Sequence, residues 1–171
     1  MLSTGEIDAL IVFSPSEVMR RSPKVRRLFQ DFQKEEVAYF KRTGILPMMH
    51  TIVMKQGIYE KYPWAAVSIL KAFQQSKELA LRDMRAAADY RTNRGRVAEM
   101  KLPLVWQSKY IEEERDLFNG DPYPYNLKEN YKAIQTLLQY SHEQGLTSRL
   151  LSVEELFAEN TREITWIDPE V

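Results

Sequence analysis

A histidine in the middle of an apolar run is the first residue of this chain that suggests chemistry. His50 lies within residues 43–55, "TGILPMMHTIVMK", and is one of two histidines among 171 residues. Histidine serves as a general acid or base because its charge changes near neutral pH. A buried strand would normally hold a β-branched side chain here. His50 therefore faces a ligand, or it is a half-buried histidine bonded to backbone, and the sequence leaves both interpretations open.

Polar side chains at helical spacing precede that run. Glu35 and Tyr39 are four residues apart and share a face with Arg42, and Glu36 is adjacent. Glu36 or Tyr39 could accept a hydrogen bond from a hydroxyl of a substrate, and the guanidinium of Arg42 could hold a carboxylate. The alternative is a solvated helix face with weak salt bridges.

Ser14 and Ser16 follow the apolar run at residues 7–13, "IDALIVF", which is typical of a buried strand. In α/β sheets, loops at the carboxyl ends of strands bind ligands. A helix starting at Pro15 would aim backbone amides at a carboxylate, although Ser14 could equally be that helix's cap. His142 lies in the last turn of a predicted helix, where we interpret it as structural because it complements the helix dipole.

The composition excludes several classes of function. Lys plus Arg and Asp plus Glu number 24 each, so no net charge favours nucleic acid or an anionic membrane. The absence of cysteine excludes disulfides and thiolate chemistry. With two histidines at distant positions, no zinc site is expected. No leader or spanning segment is apparent, and we expect a cytoplasmic protein without membrane partners.

The hydrophobic patterns predict a helix-rich α/β chain with few strands. Two strands are predicted at residues 7–13 and 48–55. A helix should begin after Asp31 and stop at Gly44, and a long one should begin at Pro63. Further helices are predicted at 57–62, 102–118 and 127–144, and a capping box joins Ser152 and Glu155 ahead of a last short helix.

Several blocks in a fixed order resemble the 4,5-dihydroxyphthalate decarboxylase family. They are "GEIDALI" (5–11), "PKVRRLFQDF" (23–32), "EVAYFKRTGILPMMHTIVMK" (36–55), "YEKYPWAAVSILKAF" (59–73) and residues 125–157. The resemblance implies a fold like type II periplasmic solute-binding proteins, in which two α/β lobes hold ligand between them. It also implies a truncated chain, corresponding to the carboxyl-terminal half. Residues 1–45 would then end the second lobe and cross over. Residues 46–171 would return to the first lobe and its carboxyl-terminal helices, the whole forming one structural unit.

The resemblance further implies a lyase that removes carboxylate from a dihydroxylated aromatic dicarboxylate without a cofactor. His50 would protonate the ring carbon, Glu36 or Tyr39 would accept from a ring hydroxyl, and Ser14, Ser16 and Arg42 would bind the substrate. One departure is that residues 12–16, "VFSPS", lack the arginine that the family tends to place there. The alternative is therefore a solute-binding module for an aromatic or heterocyclic acid. Because half a sheet would leave an apolar edge uncovered, we expect a homo-oligomer.

Overall fold

Helices provide the regular structure of this chain. The computed structural model describes residues 1–12, 22–88 and 105–165. Its helices are α1 (Phe32–Thr43), α2 (Gln56–Lys61), α3 (Trp64–Ala88), α4 (Gln107–Leu117), α5 (Leu127–Glu143), α6 (Val153–Leu156) and a 3₁₀ helix (Glu159–Thr161). None of the helices in the described ranges is long and apolar enough to cross a bilayer.

The chain divides into two compact units, Met1–Gly44 and Ile45–Val171. The first contains α1 and an amino-terminal turn in which Glu6 N–H donates to Met1 O at 3.0 Å. The second contains α2 to α6 and the 3₁₀ helix. Within it, α3 contacts α2, α4 and the 3₁₀ helix, and α5 contacts α6. The assignment of these units to lobes of a two-lobed fold stays a prediction.

Local capping chemistry sets several helix ends where the sequence predicted them. Asp31 accepts from the N–H of Lys34 at 3.2 Å ahead of α1. Gly44 ends that helix with a positive φ of 68°, a conformation that glycine adopts without steric cost. The capping box of Ser152 and Glu155 is present at α6. These boundaries are confirmed because each depends on residues within one helical turn.

A small apolar core lies between α5 and α6. Its buried members are Leu127, Ile134 and Leu138 on one face of α5, and Val153, which is 2% exposed. Met48, Leu151 and Phe157 pack against this core cluster. The three buried residues of α5 are separated by intervals of seven and four positions, so they lie on one face of the helix. The core therefore packs α5 against Met48, which precedes it in the chain, and against residues 151–157, which follow it.

A cationic clamp holds the loop at residues 119–125 against α3. The side chain of Lys77 is 9% exposed, and its ammonium forms an ion pair with Asp121. It also donates to Tyr123 O at 2.9 Å and lies 4.5 Å from the ring centroid of Tyr125. Arg85 donates to Gly120 O at 2.8 Å. The ammonium of Lys77 thus has a carboxylate, a carbonyl and an aromatic ring as neighbours, the kinds of partner that a largely buried cation requires.

The structure corrects three of the predicted elements. Residues 7–12 and 48–55 form no strand within the described ranges, and Phe13 lies outside them. Ile11 and Val53 are largely exposed in these segments. A β-branched run becomes a strand only when a neighbouring strand satisfies its backbone. The helix expected from residue 102 begins at Gln107, after a turn at 105–106, and residues 102–104 lie outside the described ranges.

Candidate functional site

The exposed face of α1 carries three of the predicted site residues. Glu36, Tyr39 and Arg42 are spaced by three, which places neighbours on one side of the helix. The guanidinium carbon of Arg42 lies 5.7 Å from the centroid of the Tyr39 ring. Thr43 Oγ1 donates to Tyr39 O at 2.8 Å. Tyr39 and Arg42 are thus brought together, and Glu36 lies one turn before them.

This face differs from the salt-bridged alternative suggested by the spacing. Among the described residues, Glu35, Glu36 and Arg42 form no ion pair. Arg42 lies over the Tyr39 ring instead, an arrangement that orients a guanidinium without consuming its charge. No acceptor within residues 1–12, 22–88 and 105–165 is bonded to its guanidinium, a group that can bind a carboxylate through two parallel hydrogen bonds.

His50 lies in the second unit, on the irregular segment between Ile45 and α2. Ile45 is buried at the start of this segment, and Met48 packs against the core cluster. Met49 and His50 then turn outward and are exposed. The half-buried histidine bonded to backbone is not what the structure shows: the imidazole is exposed and has no hydrogen-bond partner in the described part of the chain. The imidazole of His50 is accessible to a ligand. Its segment is held in place by Met48, two residues earlier, which packs against the core cluster.

The remaining predicted binding residues, Ser14 and Ser16, lie outside the described residues. Their predicted roles, and the cap predicted at Ser14, stay predictions. No group of three histidine, aspartate or glutamate side chains within 1–12, 22–88 and 105–165 is arranged to hold a metal ion.

The sequence did not predict a groove between α5 and residues 150–155. Its volume is about 540 Å³. One wall is formed by Tyr131, Gln139 and Glu143 of α5, and the other by Leu151 and Glu155. The sequence predicted α5 and the short helix after Ser152. It could not predict that the two pack side by side, because that depends on the path of the chain after α5. His142 also lines this groove, with Nδ1 3.4 Å from Thr147 O.

An ion pair and several hydrogen bonds shift the pKa values of Glu155 and Tyr131, which both line this groove. Arg149 donates through both terminal nitrogens to the Glu155 carboxylate, at 2.6 and 3.0 Å, and the Ser152 N–H donates at 2.8 Å. These donors lower the pKa of Glu155 to about 2. Tyr131 donates its phenolic hydrogen to Glu154 at 3.0 Å, and this bond raises the pKa of Tyr131. Hydrogen bonds from its own backbone N–H and from Tyr131 lower the pKa of Glu154 in turn, so both carboxylates are ionised at neutral pH.

Comparison with known proteins identifies one informative relative. No protein-family model matches the chain. Over 158 residues it is 32% identical to a protein named 4,5-dihydroxyphthalate decarboxylase from Comamonas testosteroni. The aligned region covers 92% of this chain and 45% of that protein, so the chain spans less than half of its relative's length. This similarity supports a family relationship between the chain and that decarboxylase.

Proposed function

We propose that this chain has a decarboxylase-like function on a dihydroxylated aromatic dicarboxylate of the 4,5-dihydroxyphthalate type. The observation that carries the proposal is the 32% identity to a protein of that name across 92% of the chain. We further propose a fold of the periplasmic-binding-protein type, a cytoplasmic location and chemistry without a cofactor.

The proposed reaction replaces a carboxylate on the ring with a proton. The bond between the ring carbon and the carboxylate breaks, CO₂ leaves, and the electron pair remains with the ring carbon, which takes a proton from a general acid. Electron density supplied by a ring hydroxyl lowers the barrier to protonation. We assign the acid to His50. Its support is an exposed imidazole on a segment anchored by Met48. General acids contribute roughly 10²- to 10⁴-fold to rate.

We assign substrate binding to the exposed face of α1. Arg42 would hold a carboxylate, and the Tyr39 ring beneath its guanidinium would limit the orientations that the cation samples. Glu36, or Tyr39 in its place, would accept from a ring hydroxyl. Ser14 and Ser16 would supply further donors to a carboxylate. The roles of α1 and of His50 are proposed separately, and separate variants test them.

A second candidate is a solute-binding module that holds an aromatic or heterocyclic acid without transforming it. The observation in its favour is the sequence "VFSPS" at residues 12–16, where the family tends to place an arginine. Such a module would retain the need for Arg42, because a cation is required to hold the carboxylate in either case. It would have no need for His50 as an acid.

The test combines turnover with binding. Conversion of 4,5-dihydroxyphthalate to 3,4-dihydroxybenzoate is followed by ultraviolet absorbance, and equilibrium dialysis measures binding of the same compound. The proposal expects turnover that falls at least about 100-fold in His50→Ala. Thr51→Ala, an exposed neighbour on the same segment, should retain the rate. Binding without turnover by the folded chain would favour the solute-binding module, and the absence of both would contradict the two candidates together.

Arg42 is tested against a neighbour of equal charge. Lys41 and Arg42 both lie in the last turn of α1 and are exposed. Lys41→Gln and Arg42→Gln therefore remove the same charge from the same helix end, with equal effects on the dipole. Arg42→Gln should weaken binding of 4,5-dihydroxyphthalate by roughly tenfold or more, since a charge-assisted hydrogen bond is lost. Equal weakening in both variants would remove Arg42 from the proposed role.

A further inference from the structure

The long helix α3 carries apolar side chains on two sides. Lys77 and Arg85 lie on its inner side, where they hold residues 119–125. At about 100° per residue, a second set of side chains lies within an arc of roughly 140° on the other side of the helix. The large members of this set are exposed over 37–51% of their surface: Ile69, Phe73, Leu79 and Met84. Its small members are exposed as well: Ala72, Ser76 and Ala80. These seven residues form the outer face of α3.

The charged side chains of α3 leave the outer face apolar over most of its length. Lys71, Glu78 and Arg82 project from a third side of the helix, and the one charge within the arc is Asp83, near its carboxyl-terminal end. Apolar side chains on both sides of a helix are typical of a helix that is packed on both sides. Within the described ranges, α3 packs against α2, α4 and the 3₁₀ helix, and its outer face stays exposed. This face therefore has the character of an interaction surface.

The outer face is nearly symmetric about its centre. Ser76 is the midpoint of α3 (Trp64–Ala88). Phe73 lies three residues before it and Leu79 three residues after it, and an alanine lies four residues away on either side. An antiparallel pair of these helices would therefore bring Phe73 of each copy against Leu79 of the other. An interface between two identical subunits related by a two-fold axis needs a patch that is complementary to itself, and this face meets that need.

The outer face is also large enough for a dimer. A large side chain presents about 200 Å² when fully exposed, so the seven residues expose roughly 500 Å² in each copy. Two copies would bury on the order of 1,000 Å², which is near the lower limit for specific interfaces. The formal net charge of the chain is zero, so two copies do not repel each other through their net charge.

We propose that the outer face of α3 is a self-association surface, on which α3 of a second copy packs antiparallel about a two-fold axis near Ser76. The homo-oligomer expected from the sequence is then a dimer with a defined interface. The small side chain at the axis allows the two helices to approach closely. Neither His50 nor the α1 face has a role in this contact, so the proposal is independent of the proposed decarboxylation.

Sedimentation equilibrium of the full chain measures the Kd of the dimer. Leu79→Glu places a carboxylate in the interface twice, once from each copy, and should weaken the dimer by at least about 100-fold. Leu137→Glu is the matched control, because Leu137 lies on α5 and is 56% exposed, against 51% for Leu79. It should leave the Kd unchanged, and circular dichroism verifies that both variants are folded. An unmodified chain that stays monomeric throughout the micromolar range, or equal effects of the two substitutions, would overturn the proposal.

Introduced cysteines test the antiparallel orientation. The chain has no cysteine of its own, so a single new thiol gives no background. Ser76→Cys should form a covalent dimer on mild oxidation, since a disulfide needs Cα atoms about 4.4–6.8 Å apart and this residue lies at the axis. Met84→Cys lies on the same face but eight residues from the axis, which separates the two thiols by about 24 Å along an antiparallel pair. It should stay uncrosslinked. Crosslinking of Met84→Cys, which a parallel pair would allow, or its absence in Ser76→Cys would contradict the proposed arrangement.

Discussion

Replacing Lys77 with methionine removes the ammonium from the cationic clamp while keeping most of the side-chain volume. Three contacts are lost in Lys77→Met: the ion pair with Asp121, the hydrogen bond to Tyr123 O at 2.9 Å, and the contact with the Tyr125 ring at 4.5 Å. The aliphatic stem of the side chain is kept on α3, because methionine is also unbranched. The perturbation therefore isolates the polar part of the clamp.

The expected loss of stability follows from how exposed the side chains of Lys77 and Asp121 are. Breaking a fully buried ion pair costs about 3–5 kcal/mol because the remaining charge is stranded. The Asp121 side chain is 34% exposed, so water solvates part of the charge left behind. We therefore take about half of that cost. We expect Lys77→Met to lower the free energy of unfolding by about 2 kcal/mol, a melting-temperature shift of roughly 4–8 °C for a chain of this length.

The assay is urea unfolding followed by circular dichroism, which gives the free energy of unfolding directly. Lys71→Met is the matched control, because Lys71 is an exposed lysine on the same helix. A surface substitution of this kind should change stability by no more than about 0.5 kcal/mol. If the two variants unfold at the same urea concentration, the clamp contributes no net stability and the reasoning about Lys77 is refuted.

Two further predictions concern acid stability and assembly. Because the pKa of Glu155 is lowered to about 2 in the folded chain, its stabilisation is fully present above its ordinary value of about 4.3 and is lost as pH falls toward 2. Unfolding measured from pH 6 to 2 should therefore show a shallower loss of stability in Glu155→Gln than in Glu112→Gln, and equal slopes would contradict this linkage. The second unit buries few large apolar side chains while Trp64 and Phe73 on α3 are 65% and 44% exposed. We predict a homo-oligomer by light scattering after gel filtration, and a monomer across micromolar concentrations would refute it.

The elements that the sequence predicted correctly are those set by nearby residues. Asp31 and Gly44 bound α1, and Ser152 with Glu155 begins α6, because each cap bonds within one helical turn. The two strands were mispredicted because an apolar run is compatible with several environments and needs a partner that lies far away in sequence.

The contacts that the sequence could not predict join distant residues. Lys77 and Asp121 are 44 positions apart, and no periodicity links a lysine within α3 to an acid in a turn. The groove likewise could not be predicted, because it forms only when residues 150–155 fold back alongside α5. On α1, spacing correctly grouped Tyr39 with Arg42, but it could not distinguish a cation over a ring from a salt bridge with Glu35. Spacing shows which side chains are neighbours on a helix, but the side-chain conformations decide which of these neighbours come into contact.

The ratio of decarboxylation rates between Thr51→Ala and His50→Ala tests the central claim most directly. Both variants shorten one exposed side chain on the same anchored segment, so differences in folding largely cancel. The account predicts that 4,5-dihydroxyphthalate is converted by Thr51→Ala at least about 100 times faster than by His50→Ala. Equal rates in the two variants, or no conversion by the folded unmodified chain, would contradict a decarboxylase in which His50 supplies the proton.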